Sequence, residues 1–113
     1  MKQEIKNKIL LFDELIEKVR IHRQEGKLVV QSHGVFDIIH PGIIRHLNEA
    51  KERGDVLIVT VIKDNDVRKG PERPIFQEDL RLENVSSLAQ TDYCCLVDDE
   101  TPFECIKRIK PDY

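Results

Sequence analysis

Apolar side chains at Leu11, Leu15, Ile16 and Val19 recur at the three-to-four-residue spacing of one helical face. They predict an amphipathic lead-in helix within Leu11–Gly26, with Asp13 as a candidate N-cap and Gly26 as its stop. The pattern then changes. Leu28, Val29 and Val30 form a short apolar run inside Lys27–Ser32, of the kind a parallel sheet buries on both faces, and predict a first strand. A loop from His33 to His40 leads to Pro41 at a first helical position, and Ile43, Ile44, Leu47 and Ala50 continue a helix that Gly54 closes. Asp55–Ile62 is nearly all branched and apolar and predicts a strand at the middle of the sheet.

Gly70, Pro71 and Pro74 among charges mark residues 63–76 as a loop, after which Leu82, Val85, Leu88 and Ala89 restore helical spacing over Gln77–Gln90. Tyr93–Val97 predicts a third strand. Thr101, Pro102 and Glu104 form a capping box with proline at the first helical position, opening a helix through Phe103, Ile106 and Ile109 that Pro111 ends. Strand and helix therefore alternate three times after the lead-in, which predicts an α/β fold: a Rossmann-like parallel sheet with flanking helices. The expected division is a lead-in at residues 1–26 and the sheet domain at 27–113.

Composition narrows the function classes. A chain of 113 residues with net charge -3 and 35% charged residues is one domain with a small core, and its mixed signs do not make a broad nucleic-acid surface. The longest apolar stretch, Val56 to Ile62, is well short of the ~20 residues that span a bilayer, and no secretory signal is apparent at the N-terminus. A cytoplasmic protein without membrane or nucleic-acid partners is expected. Cys94, Cys95 and Cys105 suit neither a disulfide framework nor a zinc quartet, and read as buried reduced thiols.

Ligands of open parallel sheets bind beyond the carboxyl ends of the strands. After the first strand comes His33-Gly34-Val35-Phe36-Asp37-Ile38-Ile39-His40-Pro41-Gly42, a loop with two glycines that feeds the exposed N–H groups of a new helix, an arrangement suited to a polyphosphate. The dinucleotide pattern GxGxxG and the Walker pattern GxxxxGK[ST] are both absent. Read by themselves, Gly34 and Gly42 serve equally as turn glycines, and Asp37 as a loop-fixing acceptor or a ligand contact.

Gly34-Val35-Phe36-Asp37-Ile38-Ile39-His40-Pro41-Gly42 resembles the first motif of the cytidylyltransferase-like nucleotidyltransferases, G-x-F-D-x-x-H-x-G-H. Lys69-Gly70-Pro71-Glu72-Arg73-Pro74, the helix start bearing Arg81, and Asp98-Asp99-Glu100-Thr101-Pro102 look like later segments of the adenylyltransferase domain of bifunctional heptose-phosphate kinase/adenylyltransferases. The resemblance implies transfer of a nucleoside monophosphate, AMP favoured, from a triphosphate to a sugar or polyol phosphate with release of pyrophosphate. It implies that His40, Lys69 and Arg81 are catalytic, that Gly34, Val35, Phe36, Asp37, His40, Gly42 and Arg81 bind nucleotide, and that Asp64, Lys69 and Arg73 bind the acceptor. Mg²⁺ is expected with the triphosphate, with no protein-held metal, and the partners expected are a fused kinase domain or a second copy of the chain.

Two departures from the family accompany the match. Ile43 stands where the motif has its second histidine and cannot donate a hydrogen bond. The family strand order 3-2-1-4-5 places further strands on the open side of the first strand, beyond where Pro111-Asp112-Tyr113 ends this sequence. The alternative is a degenerate relative that binds nucleotide or sugar phosphate without turnover inside a larger assembly.

Overall fold

The computed structural model describes residues 2–64, 75–98 and 103–113. Three strands, β1 (Val29–Gly34), β2 (Val56–Ile62) and β3 (Tyr93–Val97), form one parallel sheet in the order β1-β2-β3. All seven residues of β2 are buried, as its unbroken apolar pattern requires of a central strand. The helices are α1 (Gln3–Lys6), α2 (Phe12–Gln24), α3 (Pro41–Glu52), α4 (Glu78–Ser86) and α5 (Phe103–Ile109).

Because successive strand residues point to opposite faces, the core divides in two. Val29, Val56, Ile58, Cys95 and Val97 pack against Leu15 and Val19 of α2 and Cys105 and Ile109 of α5. On the other face Val30, Leu57, Val59, Val61 and Cys94 pack against Leu47 of α3 and Leu82 and Val85 of α4. Phe36, from the loop after β1, joins this second cluster.

Boundaries differ from the sequence reading where side-chain hydrogen bonds decide them. β1 begins two residues later and ends two later than predicted, since the Leu28 amide donates to the Asp55 carboxylate and His33 and Gly34 pair in register with Thr60 and Val61. Asp13 is not the N-cap of α2. Leu11 occupies that position, its amide held by the Glu14 carboxylate at 3.0 Å, while Asp13 pairs with Arg108 at 3.1 Å. Helix α4 stops at Ser86 rather than Gln90, where the hydroxyls of Ser86 and Ser87 both donate to the Glu83 carbonyl and compete with the backbone ladder. Gly26 follows α2 with φ at 79°, as a helix stop requires. The predicted capping pair Thr101 and Pro102 lies outside the described residues.

Both edges of the sheet carry short additions that periodicity could not reveal. Leu10 donates to the Cys94 carbonyl and Cys94 to that of Lys8, so the N-terminal arm covers β3. At the other edge the Gln31 amide donates to the Tyr113 carbonyl, the Asp112 amide to Val29, and the Val29 amide to the Asp112 carboxylate. Among the described residues no helix is long and apolar enough to cross a membrane.

The three cysteines are free and buried. Burial pushes the Cys94 thiol up to about 12 and the Cys95 thiol up to about 11. Both thiols therefore stay protonated near neutral pH, and the thiolate is the reactive form. Thiol labelling of the native chain is expected to leave both cysteines unmodified until unfolding. Deleting residues 1–10 removes the cover of β3 and is expected to make Cys94 react first, detectable by mass spectrometry of the labelled peptide.

Candidate functional site

The site is built on the loop between β1 and α3. His40 is the N-cap of α3 in an extended conformation, and Pro41 supplies the first helical position with its φ already set. The imidazole folds back over the helix start, where its Nδ1 accepts the Gly42 amide at 3.1 Å. That bond fixes the neutral tautomer with its proton on Nε2, so the ring presents an N–H donor at a helix N-terminus. His40 is exposed, and both the helix dipole and this donor favour an anion there.

Gly42 is required by this packing. A Cβ built on it would lie 2.8 Å from His40 Cε1 and 3.0 Å from Nδ1, closer than side chains tolerate. The glycine therefore admits the histidine ring onto its own helix start, a role more specific than the turn glycine or open backbone the sequence offers. Ile43, the next residue, packs with the core cluster that holds Phe36 and Leu47, so its side chain serves the hydrophobic face of α3.

Ahead of His40, Phe36 adopts φ of 52° and is 8% exposed. A bulky residue in this region is strained and persists only where its surroundings over-determine it. Those surroundings are a polar knot. Arg81 of α4 has no exposed surface. Its Nη1 donates to the Val35 carbonyl at 2.7 Å, its Nε to the Phe76 carbonyl at 3.1 Å and its Nη2 to Asp64 at 2.7 Å. Asp37 accepts the amides of Ile75 and Phe76 at 2.7 and 2.8 Å. Asp64 and Glu78 complete it by exchanging amide-to-carboxylate bonds at 2.9 and 3.1 Å.

Several predicted site residues thus come together, with altered parts. Gly34, Val35, Phe36, Asp37, His40 and Gly42 form one loop, and Asp64 and Arg81 hold it from behind. Arg81 offers no free guanidinium, since all three of its nitrogens donate to protein acceptors. For Asp37 the loop-fixing alternative describes its contacts with Ile75 and Phe76. Lys69 and Arg73 lie outside the described residues; the flanking positions Asp64 and Ile75 both belong to the knot. His46 has its Nε2 3.4 Å from the Ser32 hydroxyl, on the β1 side of α3.

One polar feature escaped the sequence reading. Thr60, buried in β2, accepts the Gln31 side-chain amide at 3.1 Å, and its hydroxyl shares a hydrogen bond with His33 Nδ1 at 2.8 Å. The signal was Thr60 itself, a hydroxyl inside an otherwise apolar run at the carboxyl end of the central strand.

Residues 32–113 match the family model described as cytidylyltransferase-like. The chain is 45% identical over 101 residues to the bifunctional protein HldE of a Nitratiruptor species, which covers 88% of this chain and 21% of that protein. It is 35% identical over 111 residues to the HldE of Syntrophotalea carbinolica, covering 96% of this chain and 23% of the relative. The chain therefore spans about a fifth of the length of these curated relatives. A solved structure, the lipopolysaccharide core biosynthesis protein of Thermoplasma volcanium, superposes with a TM-score of 0.69 at 37% identity, over 76% of this chain and 70% of that one.

Two substitutions separate the ring contact from the knot. Gly42→Ala is expected to displace the imidazole and lower turnover by about 10²-fold with the fold intact, since a preorganised donor at charged oxygens contributes on that scale. Arg81→Ala removes the partner of Asp64 and two carbonyl contacts, and is expected to cost about 3 kcal/mol or more in urea unfolding. An unchanged unfolding midpoint in Arg81→Ala would show that the knot does not hold the loop.

Proposed function

The chain belongs to the cytidylyltransferase-like family of nucleotidyltransferases, and from that premise we propose that it transfers AMP from ATP to a sugar or polyol phosphate, releasing pyrophosphate. A phosphate oxygen of the acceptor attacks the α-phosphorus of the triphosphate. The bond from that phosphorus to the bridging oxygen breaks, and its electron pair leaves with pyrophosphate. Little covalent work falls to the protein, which positions two anions and offsets their charge.

The observation that carries this reading is the His40 ring locked on the Gly42 amide, with its Nε2 proton presented at the start of α3. That N–H donates to the phosphate oxygens as charge gathers on the leaving group. The α3 N-terminus adds the partial positive charge of its helix dipole. Arg81, Asp37 and Asp64 act here as positioning residues: they fix the backbone of Val35–Phe36 and through it the entry into α3. Lys69 and Arg73 are proposed as phosphate contacts from the resemblance of their segment alone.

Magnesium enters with the triphosphate, as part of the substrate. The preference for ATP follows the likeness to HldE across most of the chain, read with the Lys69–Pro74 and Asp98–Pro102 segments. Through the same likeness, a kinase domain is the proposed fused partner and the cytoplasm the proposed location. No specific observation favours the degenerate binding module over this reading.

Titration calorimetry with MgATP and MgCTP tests the nucleotide: tighter binding of ATP is expected, and tighter binding of CTP contradicts the assignment. Pyrophosphate release in the presence of sugar phosphates tests the transfer. Ile43→His restores the donor that the family motif carries, and is expected to raise turnover by up to about 10²-fold with little change in nucleotide affinity. A variant no faster than the parent would mean that Ile43 is no defect.

A further inference from the structure

Residues 8–10 lie along the outer edge of β3, in a bridge that joins Ile9 to Cys94 and runs parallel to the strand. The Leu10 amide donates to the Cys94 carbonyl at 3.0 Å, and the Cys94 amide donates to the Lys8 carbonyl at 2.9 Å. Both outward backbone groups of Cys94 are thereby met. The side chains of this stretch behave as strand residues do, on opposite faces of the sheet. Ile9 packs with the cluster of Leu47, Leu82 and Val85, and Leu10 with the cluster of Leu15 and Ile109. Lys8 adds a third tie, its ammonium donating to the Leu88 carbonyl at 3.1 Å just past the end of α4.

What this short stretch covers is a strand well suited to pairing with its own kind. Tyr93-Cys94-Cys95-Leu96-Val97 holds no charge, no proline and no glycine. That composition makes an exposed edge a template for a further strand, and β3 lacks the charged or bent residues that blunt such edges elsewhere. Two copies of the edge are also self-complementary. Brought together about a two-fold axis they pair antiparallel, with the amide and carbonyl of Cys94 in each copy facing those of the other. The opposite edge of the sheet carries its own pairing, between β1 and the Asp112–Tyr113 segment.

We propose that residues 8–10 are an intramolecular edge guard, which occupies the hydrogen-bonding groups of β3 that would otherwise pair with the same edge of a second copy of this chain. The partner that the edge fits is thus another β3, and the arm decides whether it is reached. Being attached, the arm competes at an effective concentration on the order of millimolar, so a second copy at micromolar concentration does not displace it. The inference is independent of the proposed transfer reaction, and its test reads association instead of turnover.

Sedimentation velocity and amide hydrogen exchange of the full chain test it. The parent is expected to sediment as one chain, with a slowly exchanging Cys94 amide. Leu10→Pro removes the amide that bonds to Cys94, and Ile9→Asp removes the apolar anchor of the arm. Each is expected to speed Cys94 exchange in dilute samples and, at higher concentration, to raise the sedimenting mass to that of two chains. A synthetic peptide of residues 1–11 is expected to return Leu10→Pro to the mass of one chain, whereas the same peptide carrying the Leu10→Pro change has no effect.

A parent that dimerises as tightly as the variants would overturn the inference, as would folded variants that stay monomeric although their Cys94 amide exchanges rapidly. Cys94 exchange as slow in the dilute, folded variants as in the parent would show that the arm is not what covers the edge. Dimers that the peptide leaves intact would assign the association to another surface, and unfolding of both variants would make the arm part of the core instead of a guard; either result overturns the inference.

Discussion

An arginine without exposed surface is an expensive residue to bury, and the rest of this site depends on how that cost is met. Arg81 gives each of its three nitrogens a protein acceptor, two of them backbone carbonyls on different segments and the third the carboxylate of Asp64. Leaving any one unmade would strand a desolvated charge or its partner. The loop after β1, the turn before α4 and the residue pair after β2 are therefore fixed relative to one another as a unit. Asp37 repeats the tie between the first two from the opposite direction, as an acceptor of two amides.

What this rigidity maintains is a backbone conformation that the sequence would not choose locally. Phe36 at positive φ turns the chain so that its ring enters the core beside Leu47 while the following residues approach α3. From there His40 caps the helix and lays its ring on Gly42. The chain of dependence runs from buried charge, through a strained residue, to the orientation of one imidazole. Stability and geometry thus share residues: the Asp64 carboxylate and the two carbonyls that satisfy Arg81 also fix the loop that leads to His40.

Much of the scaffold was legible. The order of strands and helices, β2 at the centre and β3 at Tyr93–Val97 all follow from runs of branched apolar residues and from glycine and proline stops. The loop from Gly34 to Gly42 was legible as the connection from the carboxyl end of a strand into a helix start, through its two glycines and the proline at the first helical position. The burial of Arg81 was not legible, for two of its acceptors are backbone carbonyls that leave no mark in the sequence. The pairing of Lys8–Leu10 with Cys94 is too short to have a period, and the end of α4 depends on hydroxyls that bond back to Glu83. The clash a Cβ at Gly42 would meet is a property of the His40 rotamer, which no spacing rule encodes.

The orientation of His40 is the point on which packing and chemistry meet. Long-range ¹H–¹⁵N correlation of the imidazole nitrogens reads it directly, above the pH at which the ring is protonated, in the unmodified chain and in Asp37→Ala. The unmodified chain is expected to show His40 as the Nε2–H tautomer, and Asp37→Ala to show the averaged nitrogen shifts of a free ring while remaining folded. An Nδ1–H tautomer in the unmodified chain, or an unperturbed ring in a folded Asp37→Ala variant, would contradict the account.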